Sequence, residues 1–260
     1  MKKILCLFFA GTLVSCSSLK PTAVSSDKPA LENLSAHGFS MVVHAQYSLF
    51  LPKGYNPGAT NHWPLIVFLH GIGENGTNVW KTTVHGPAQY IGKHPDFPFI
   101  LVSPQCAVGH KWSDETVLGI LDQVAAKYAV DTNRIYLTGL SLGGYGTWSL
   151  ATFYPERFAA AAPVCGGEGM VGVIVAAKLK IAKKQALESL PIWAFHCSGD
   201  PLVPVAESER MVKAVKDMGC KEVKLTIYPK AKHDAWTETY DNPELYQWFL
   251  AHRREQPPLK

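Results

Sequence analysis

The chain has 260 residues, of which 47% are hydrophobic and 18% charged, and its formal net charge is +4. This composition is ordinary for a globular protein, and the length fits one large α/β domain or two small ones. So small a positive excess does not predict nucleic-acid binding, which requires a strongly basic face. The sequence has no short-period repeat and no low-complexity segment, which argues against solenoid and propeller architectures.

The N-terminus has the order of positive charge, short apolar run and small residues that is typical of an export signal. Lys2 and Lys3 supply the charge, and residues 4–14 are apolar but too few to span a bilayer. The sequence LVSC at residues 13–16 resembles the lipobox of bacterial lipoproteins. That resemblance implies that Cys16 becomes the lipidated first residue of the mature protein.

We therefore predict three parts: a signal peptide at 1–16, a flexible tether at 17–38 and a single folded domain at 39–260. The tether is predicted because its residues are rich in Ser, Pro, Ala and Lys and lack periodicity. The expected location is the bacterial cell envelope, through the lipid anchor. A plain secretory signal is the alternative, and it would give a secreted or periplasmic protein.

Within the domain, predicted strands alternate with predicted helices. Residues 39–51 alternate between apolar and polar side chains, which predicts an antiparallel edge hairpin. The further predicted strands are 64–69, 97–102, 134–138, 158–164, 191–197 and 223–228, and the predicted helices are 114–128, 142–153, 171–187, 207–218 and 244–252. This alternation predicts an α/β fold, with a mostly parallel central sheet flanked by helices on both faces. In such sheets, chemistry collects at the carboxyl ends of the strands.

A glycine-rich turn follows the predicted strand at 134–138. GLSLG at residues 139–143 matches the G-x-S-x-G pattern in the strand–turn–helix context that makes this pattern informative. A serine hydroxyl is a weak nucleophile unless it is exposed beside a base, and a sharp turn would expose Ser141. Side chains flanking the turn would collide, which accounts for the two flanking glycines, and Gly144 would let the next helix approach the sheet. The pattern predicts that Ser141 is a nucleophile.

An acid and a histidine follow in the order that such a nucleophile requires. Asp200 and His233 each lie just beyond a predicted strand. The histidine would hydrogen-bond the serine as its base, and the carboxylate would hold the other ring nitrogen. We therefore expect Ser141, Asp200 and His233 to form a catalytic triad. Asp234 and Asp241 are alternative acids, although side chains of sequence neighbours such as His233 and Asp234 seldom face each other as a triad needs.

Two backbone donors are needed for the oxyanion that forms when a carbonyl is attacked. One is the N–H of Leu142, the residue after the nucleophile. The other is expected from the loop HGIG at residues 70–73, and we assign it to the N–H of Ile72. His70 precedes the turn of this loop and is expected to support it by hydrogen bonds, in place of serving as a second base.

Four cysteines remain in the domain once Cys6 and Cys16 are assigned to the signal peptide: Cys106, Cys165, Cys197 and Cys220. They allow three complete pairings, and the sequence does not choose among them. A pair of Cys165 with Cys197 is preferred because both follow strands that are expected to be neighbours, and four free buried thiols are the alternative. No spacing of Cys or His residues predicts a zinc site.

Four stretches together resemble the α/β-hydrolase family: LHGIGENG at 69–76, SPQC at 103–106, YLTGLSLGGYG at 136–146 and HDAW at 233–236. The resemblance is strongest to the phospholipase/carboxylesterase and polyhydroxybutyrate-depolymerase-like esterases, a group that includes feruloyl and acetyl esterases and proteins labelled predicted peptidases. It runs from about residue 40 to 250 and implies the same triad and oxyanion donors. One departure is KAK at 230–232, where the family usually has glycine before the histidine.

The expected function is therefore hydrolysis of carboxylic esters through an acyl-enzyme, without a metal or organic cofactor. The resemblance implies short-chain or polysaccharide-linked acyl groups, of the acetyl or feruloyl type. Trp80, Trp112 and Trp236 lie in or near the predicted site loops and are candidate substrate contacts, although all three could equally be packing residues. The alternatives are a serine peptidase of the prolyl-oligopeptidase type and a surface lipoprotein that binds a ligand without turnover. No nucleic-acid partner is expected, and membrane contact is expected only through the lipid anchor.

Overall fold

The computed structural model describes residues 30–37, 42–58, 60–169, 172 and 181–254. The predicted signal peptide, Cys16 and residues 17–29 of the predicted tether lie outside the described residues. Residues 171 and 173–180 of the helix predicted at 171–187 also lie outside the described residues. Within the part of the chain that is described, no helix is both long enough and apolar enough to span a bilayer.

Eight strands form a single sheet in the order β1-β2-β4-β3-β5-β6-β7-β8. They are β1 (Ala30–His37), β2 (Val42–Phe50), β3 (Trp63–Leu69), β4 (Ile100–Pro104), β5 (Val130–Leu140), β6 (Ala160–Val164), β7 (Ile192–Cys197) and β8 (Val223–Tyr228). The pairs β1–β2 and β2–β4 are antiparallel, and every later pair is parallel. The sheet is therefore mostly parallel, with an antiparallel edge, as the alternation of elements predicted.

The sheet begins earlier in the chain than predicted. β1 (Ala30–His37) lies inside the segment 17–38 that composition assigned to the tether, and it pairs with β2 from Ala30 opposite Leu49 to His37 opposite Val42. The tether prediction is wrong for these residues. An edge strand can form through backbone hydrogen bonds to one neighbour, so it does not need the apolar pattern on which the prediction relied.

Helices cover both faces of the sheet. They are α1 (Pro87–Lys93), α2 (Asp114–Lys127), α3 (Leu142–Phe153), α4 (Ile181–Ser189), α5 (Ala206–Asp217), α6 (Trp236–Asp241) and α7 (Pro243–Ala251), with short 3-10 helices at Ile72–Glu74, Val79–Thr83 and Pro155–Arg157. Helices α2, α3 and α5 contribute buried residues such as Val117, Trp148 and Met211 to one core cluster. Helices α1 and α7 contribute Ala88 and Phe249 to a second cluster on the other face. The predicted α/β fold class is confirmed.

The register of the parallel strands brings their carboxyl ends together at one edge of the sheet. Leu69, the last residue of β3, lies beside Gly139 of β5. Leu140 at the end of β5 lies beside Val164 of β6, and Cys197 of β7 lies beside Tyr228 of β8. The loops that follow these strands therefore share one edge, as expected for the site of chemistry in such a sheet.

The preferred disulfide between Cys165 and Cys197 is absent. All four cysteines of the described domain, Cys106, Cys165, Cys197 and Cys220, are free and buried. Strand register gives the reason, since Val164 pairs with Phe195 and the next residues in line are Cys165 and His196. Cys197 lies one position further along, and Cys165 leaves the extended conformation with φ 40°.

Candidate active site

Ser141 occupies a strained turn between a strand and a helix. β5 ends at Leu140 and α3 begins at Leu142. Ser141 itself has φ 52° and ψ −115°, a conformation that non-glycine residues seldom adopt. Its N–H donates to the Val164 carbonyl at 3.0 Å, which anchors the turn to the neighbouring strand. The sharp turn expected between this strand and this helix is present, and Ser141 is partly exposed there.

Close backbone packing explains the glycines around this turn. A Cβ placed on Gly139 would lie 2.5 Å from the Gly143 carbonyl oxygen, and one on Gly143 would overlap the Leu69 carbonyl. A Cβ on Gly144 would collide with the Val164 carbonyl, so this glycine lets α3 approach β6 as predicted. Gly146 had no role that the sequence could assign. In the structure it lies against the side chains of Leu69 and Trp112, both 3.0 Å from where its Cβ would be.

Ser141, His233 and Asp200 are joined by two hydrogen bonds. His233 Nε2 lies 2.8 Å from Ser141 Oγ, and His233 Nδ1 lies 2.6 Å from Asp200 Oδ2. Since a carboxylate only accepts, the proton on the neutral ring is at Nδ1, which leaves Nε2 to accept the serine proton. The His233 side chain is 14% exposed and that of Asp200 is fully buried. The structure thus brings together the three residues predicted to act as one unit.

Asp200 is held as an anion. Its Oδ1 accepts the N–H groups of Leu202 and Val203, each at 2.9 Å. Burial alone would raise the pKa of this carboxyl, but the hydrogen bonds from His233, Val203 and Leu202 outweigh burial and place the pKa below its ordinary value. The carboxylate is therefore charged at neutral pH and stabilises a positive charge on His233.

The two alternative acids have other partners. Asp234 accepts the N–H of Thr237 at 2.9 Å at the start of α6, and it lies 3.4 Å from Lys232. Asp241 pairs with Lys93 of α1 at 2.9 Å. Neither of these acids is bonded to the ring of His233, which is held by Asp200.

The two N–H groups assigned to the oxyanion both begin a helix. Leu142 is the first residue of α3, and Ile72 is the first residue of the 3-10 helix Ile72–Glu74. The first N–H groups of a helix have no acceptor within it, so both remain free for an anion. The loop containing Ile72 meets Ser141 closely, since a Cβ on Gly71 would lie 3.6 Å from Ser141 Cβ.

His70 holds this loop in place through hydrogen bonds of its ring. The ring is fully buried. Nδ1 lies 2.7 Å from the Gly71 carbonyl, to which it donates, and Nε2 accepts the N–H of Cys106 at 3.1 Å. Burial lowers the pKa of His70 to about 4, against a smaller opposing effect of the bond to Gly71. His70 is therefore a neutral support for the loop, as its position in the sequence predicted.

Glu74 is a site residue that the sequence analysis missed. This buried carboxylate accepts the N–H of Gly71 at 2.9 Å through Oε2, and its Oε1 lies 3.7 Å from Nε2 of His85. It therefore fixes the backbone immediately before Ile72. A carboxylate three residues after a helix cap is a known signal for this contact, and it was available in HGIGE at 70–74.

The three tryptophans lie in different surroundings. The Trp236 ring meets the His233 ring edge to face, with centroids 5.3 Å apart, and so forms a wall beside the base. Trp112 instead donates its indole N–H to the His70 carbonyl at 3.3 Å and contacts the His70 ring. Trp80 is 46% exposed in the 3-10 helix Val79–Thr83. Of the three, Trp236 is the one in ring contact with a residue of the predicted triad.

Two cavities have a candidate substrate-binding tryptophan in their walls. One of about 170 Å³ is lined by Trp236 and His85, among others. The other, of about 580 Å³, is lined by Trp112 and Cys106, among others. Neither cavity is lined by Ser141, Asp200 or His233. Among the described residues, no cluster of His, Cys, Asp and Glu side chains could hold a metal ion.

Several known proteins resemble this chain. Residues 104–242, more than half of the chain, match the model of the phospholipase/carboxylesterase family. Poly(3-hydroxyalkanoate) depolymerase C of Paucimonas lemoignei is 30% identical over 115 residues, which are 40% of this chain and 28% of the depolymerase. Probable feruloyl esterase C of Aspergillus niger is 26% identical over 241 residues, which are 89% of this chain and 83% of that protein.

A solved structure resembles the chain over nearly all of its length. The crystal structure of a thermostable esterase has a TM-score of 0.69 and 32% identity, covering 88% of this chain and 64% of that one. The chain thus spans less than a third of the depolymerase and just under two thirds of the esterase.

Proposed function

Since the chain belongs to the phospholipase/carboxylesterase family, we propose that it is a serine esterase that cleaves carboxylic esters through an acyl-enzyme. The observation that carries this proposal is the pair of hydrogen bonds that joins Ser141 Oγ to His233 and His233 to Asp200, at 2.8 and 2.6 Å. Nucleophilic catalysis needs a hydroxyl, a base whose nitrogen can accept the hydroxyl proton, and a charged carboxylate bonded to the other nitrogen of the base.

In the first half of the reaction, Ser141 Oγ attacks the ester carbonyl while His233 Nε2 takes its proton. The N–H groups of Leu142 and Ile72 stabilise the negative charge on the carbonyl oxygen; one such donor typically contributes about 10²- to 10³-fold in rate. His233 then gives its proton to the alcohol oxygen, and the C–O bond breaks. In the second half, water attacks the acyl-enzyme with His233 again as base, and the acid is released.

The substrates that we propose are esters of short or polymer-linked acyl groups, of the acetyl or feruloyl type. Two observations support this class. A relative covering most of this chain is named a probable feruloyl esterase, and the ring of Trp236 lies beside His233, with centroids 5.3 Å apart, where it could contact a flat acyl group. We also propose that the enzyme acts outside the cytoplasm, anchored through Cys16, on the sequence of its N-terminus.

The decisive test is the variant Ser141→Ala, assayed with p-nitrophenyl acetate and butyrate. We expect hydrolysis to fall by about 10⁴-fold or more, because the nucleophile is removed, while the circular dichroism spectrum and the melting temperature stay close to those of the wild type. Hydrolysis at near wild-type rate by a folded Ser141→Ala protein would refute the proposal.

A substrate panel then separates the remaining possibilities. Acetyl, butyryl, octanoyl and feruloyl esters are compared with a peptide amide under the same conditions. Preference for feruloyl or acetyl esters supports the proposed class, and clear preference for the amide supports the peptidase alternative. Failure of a fluorophosphonate probe to label Ser141 would favour the alternative of a protein that binds a ligand without turnover.

A further inference from the structure

The larger of the two cavities takes no part in the steps proposed above. Its volume of about 580 Å³ lies within the range of about 300–1,000 Å³ that is typical of sites for small ligands. This Trp112 cavity is formed by β2, the start of α2 and the loops that follow β3 and β4, and its lining includes Gln46, Thr77, Gln105, Trp112, Ser113 and Thr116.

The Trp112 cavity lies at the same edge of the sheet as Ser141. Gln105 directly follows β4, and its N–H donates to the carbonyl of Gln46 in β2 at 2.8 Å. β4 and β5 run parallel on either side of β3, so their carboxyl ends share an edge. β4 lies two strands from β5 and β2 lies three, which at about 4.8 Å per strand is roughly 10–14 Å across the sheet. An acetyl group on Ser141 is too short to reach the cavity, whereas a longer substrate can extend to it.

Hydrogen bonds to the loop after β3 hold the wall of the cavity in place. The indole N–H of Trp112 donates to the His70 carbonyl at 3.3 Å. The Gly76 N–H donates to the Cys106 carbonyl at 2.9 Å. Trp112 also packs against Gly146 of α3, where a Cβ would lie 3.0 Å from the indole side chain. The wall is therefore fixed before a ligand binds, which lowers the entropy cost of binding.

Gln105 carries a hydrogen-bond acceptor without a partner in the described part of the chain. Its Nε2 donates to the carbonyls of Glu74 and Cys106, at 2.8 and 3.0 Å. Since carbonyls only accept, these contacts fix the orientation of the amide, with Nε2 towards them. Oε1 is buried and has no donor among the described residues. Buried acceptors nearly always have a partner, and a hydroxyl group of a ligand would supply one.

The lining of the Trp112 cavity favours a neutral ligand that is rich in hydroxyl groups. Its amides and hydroxyls can both donate and accept hydrogen bonds, as sugar hydroxyls do. Trp112 adds an aromatic wall, against which the C–H face of a sugar ring can pack. Among the described residues that line the cavity, none is Asp or Glu, so a cationic ligand would find no counter-charge. An anion would find one permanent cation, the exposed Lys111.

We propose that the Trp112 cavity binds a sugar unit of the substrate, away from the ester that Ser141 attacks. This inference rests on the proposed function, in which the acyl group is linked to a polymer. A sugar ring that packs on Trp112 and donates a hydroxyl proton to Gln105 Oε1 holds the polymer while its ester lies at Ser141. Binding so far from the reacting atoms contributes equally in the ground state and the transition state. It therefore lowers KM and leaves kcat unchanged.

Thr77→Phe tests the proposal by filling the cavity. Thr77 is exposed and lines the cavity, so a phenyl ring at this position takes up space that a sugar would occupy. We expect KM for an acetylated or feruloylated xylo-oligosaccharide to rise about tenfold while kcat stays within about twofold of the wild type. Both constants for p-nitrophenyl acetate should stay unchanged, because this ester is too short to reach the cavity.

Thr60→Phe is the matched control. Thr60 is also an exposed threonine in a loop, but it precedes β3 and so lies at the opposite edge of the sheet. A KM for the oligosaccharide ester that is the same in the wild type, Thr60→Phe and folded Thr77→Phe would overturn the inference and leave the proposed function standing. If Thr77→Phe does not fold, Thr116→Phe fills the cavity from α2, and the same comparison applies.

Binding of an unesterified xylo-oligosaccharide provides a readout that needs no reaction. It is measured by isothermal titration calorimetry on the Ser141→Ala protein, alone and combined with Thr77→Phe or Thr60→Phe. We expect Thr77→Phe to weaken binding about tenfold and Thr60→Phe to leave it unchanged. No binding to Ser141→Ala, or equal binding to both double variants, would overturn the inference. Hydrolysis of p-nitrophenyl acetate by Ser141→Ala at near wild-type rate would instead overturn the proposed function, and the titration would still test the cavity.

Discussion

Glu74 is a single side chain on which the proposed oxyanion loop depends. Its carboxylate accepts the N–H of Gly71, and Ile72 follows at once as the proposed donor. Glu74 is buried, so its removal would leave that N–H without a partner, at a cost of about 1–3 kcal/mol that the loop can avoid only by moving. A displacement of this loop would act on the transition state more than on substrate binding, because the oxyanion exists only there.

We predict that Glu74→Ala lowers kcat about 10- to 100-fold with little change in KM, since a donor aimed at the oxyanion would be misplaced. Glu74→Gln keeps an oxygen that can accept the Gly71 N–H, and it should recover most of the loss. Initial rates with p-nitrophenyl acetate over a range of concentrations provide both constants. Wild-type kcat in a folded Glu74→Ala protein would mean that the loop does not depend on this carboxylate.

The approach of Ser141, Asp200 and His233 to one another could be predicted because each stands in a recognisable pattern after a strand, in the chain order that is typical of this fold. Glu74 was missed although its spacing from Gly71 was a readable signal, because its partner is a backbone N–H that only the folded turn brings near it. The same holds for a packing contact such as that of Gly146 with Trp112, which joins residues on two different elements.

Helix α3 lies unusually close to the sheet at its first turn. The backbone of Gly143 touches the carbonyl of Leu69 at the end of β3, with no room for a Cβ between them. This contact sets the height of the Ser141 turn above the sheet. A side chain at position 143 would have to push α3 and β3 apart, because the obstructing atom belongs to the backbone.

We predict that Gly143→Ala lowers the free energy of unfolding by about 3 kcal/mol, since overpacking against backbone cannot be relieved by rotating a side chain. Gly92→Ala is the matched control, because Gly92 lies in α1 with nothing within 4 Å of a new Cβ. There the same change should be neutral, or stabilising by about 0.5–1 kcal/mol through helix propensity. Urea denaturation of both variants measures the difference. Equal stabilities would show that the contact at Leu69 can relax freely.

The sequence pattern located several elements closely. The bounds of α3 and β8 agree with prediction, and α2 differs by one residue. The short helices α1 and α6 and the edge strand β1 were not predicted. The two helices are too short to display a period, and β1 is specified by backbone pairing with β2.

Across the whole molecule, acid stability is set by buried groups whose pKa differs from that of the unfolded chain. Burial lowers the pKa of His70 from 6.5 to about 4. Between these pH values, the unfolded chain binds a proton at this histidine and the folded protein does not. The stability associated with a neutral His70 is therefore complete above pH 6.5 and falls as the pH drops towards 4. Burial raises the pKa of Asp114 from 3.8 to about 6, so between these pH values the folded protein holds a proton that the unfolded chain releases. This contribution to the free energy of unfolding therefore grows as the pH falls, opposite to that of His70.

A variant at position 70 separates the contribution of His70 to acid stability from that of Asp114. Gln at this position can donate to the Gly71 carbonyl and accept from the Cys106 N–H, the two bonds of His70, but it does not titrate. Between pH 7.5 and 4.5, we predict that the wild type loses about 2–3 kcal/mol more unfolding free energy than His70→Gln, as a depression of about 2.5 pKa units requires. Asp114 is common to both proteins, so its contribution cancels in the difference. Urea denaturation at several pH values supplies both curves; if they run parallel, His70 takes up its proton without disturbing the fold, and another group must govern acid unfolding.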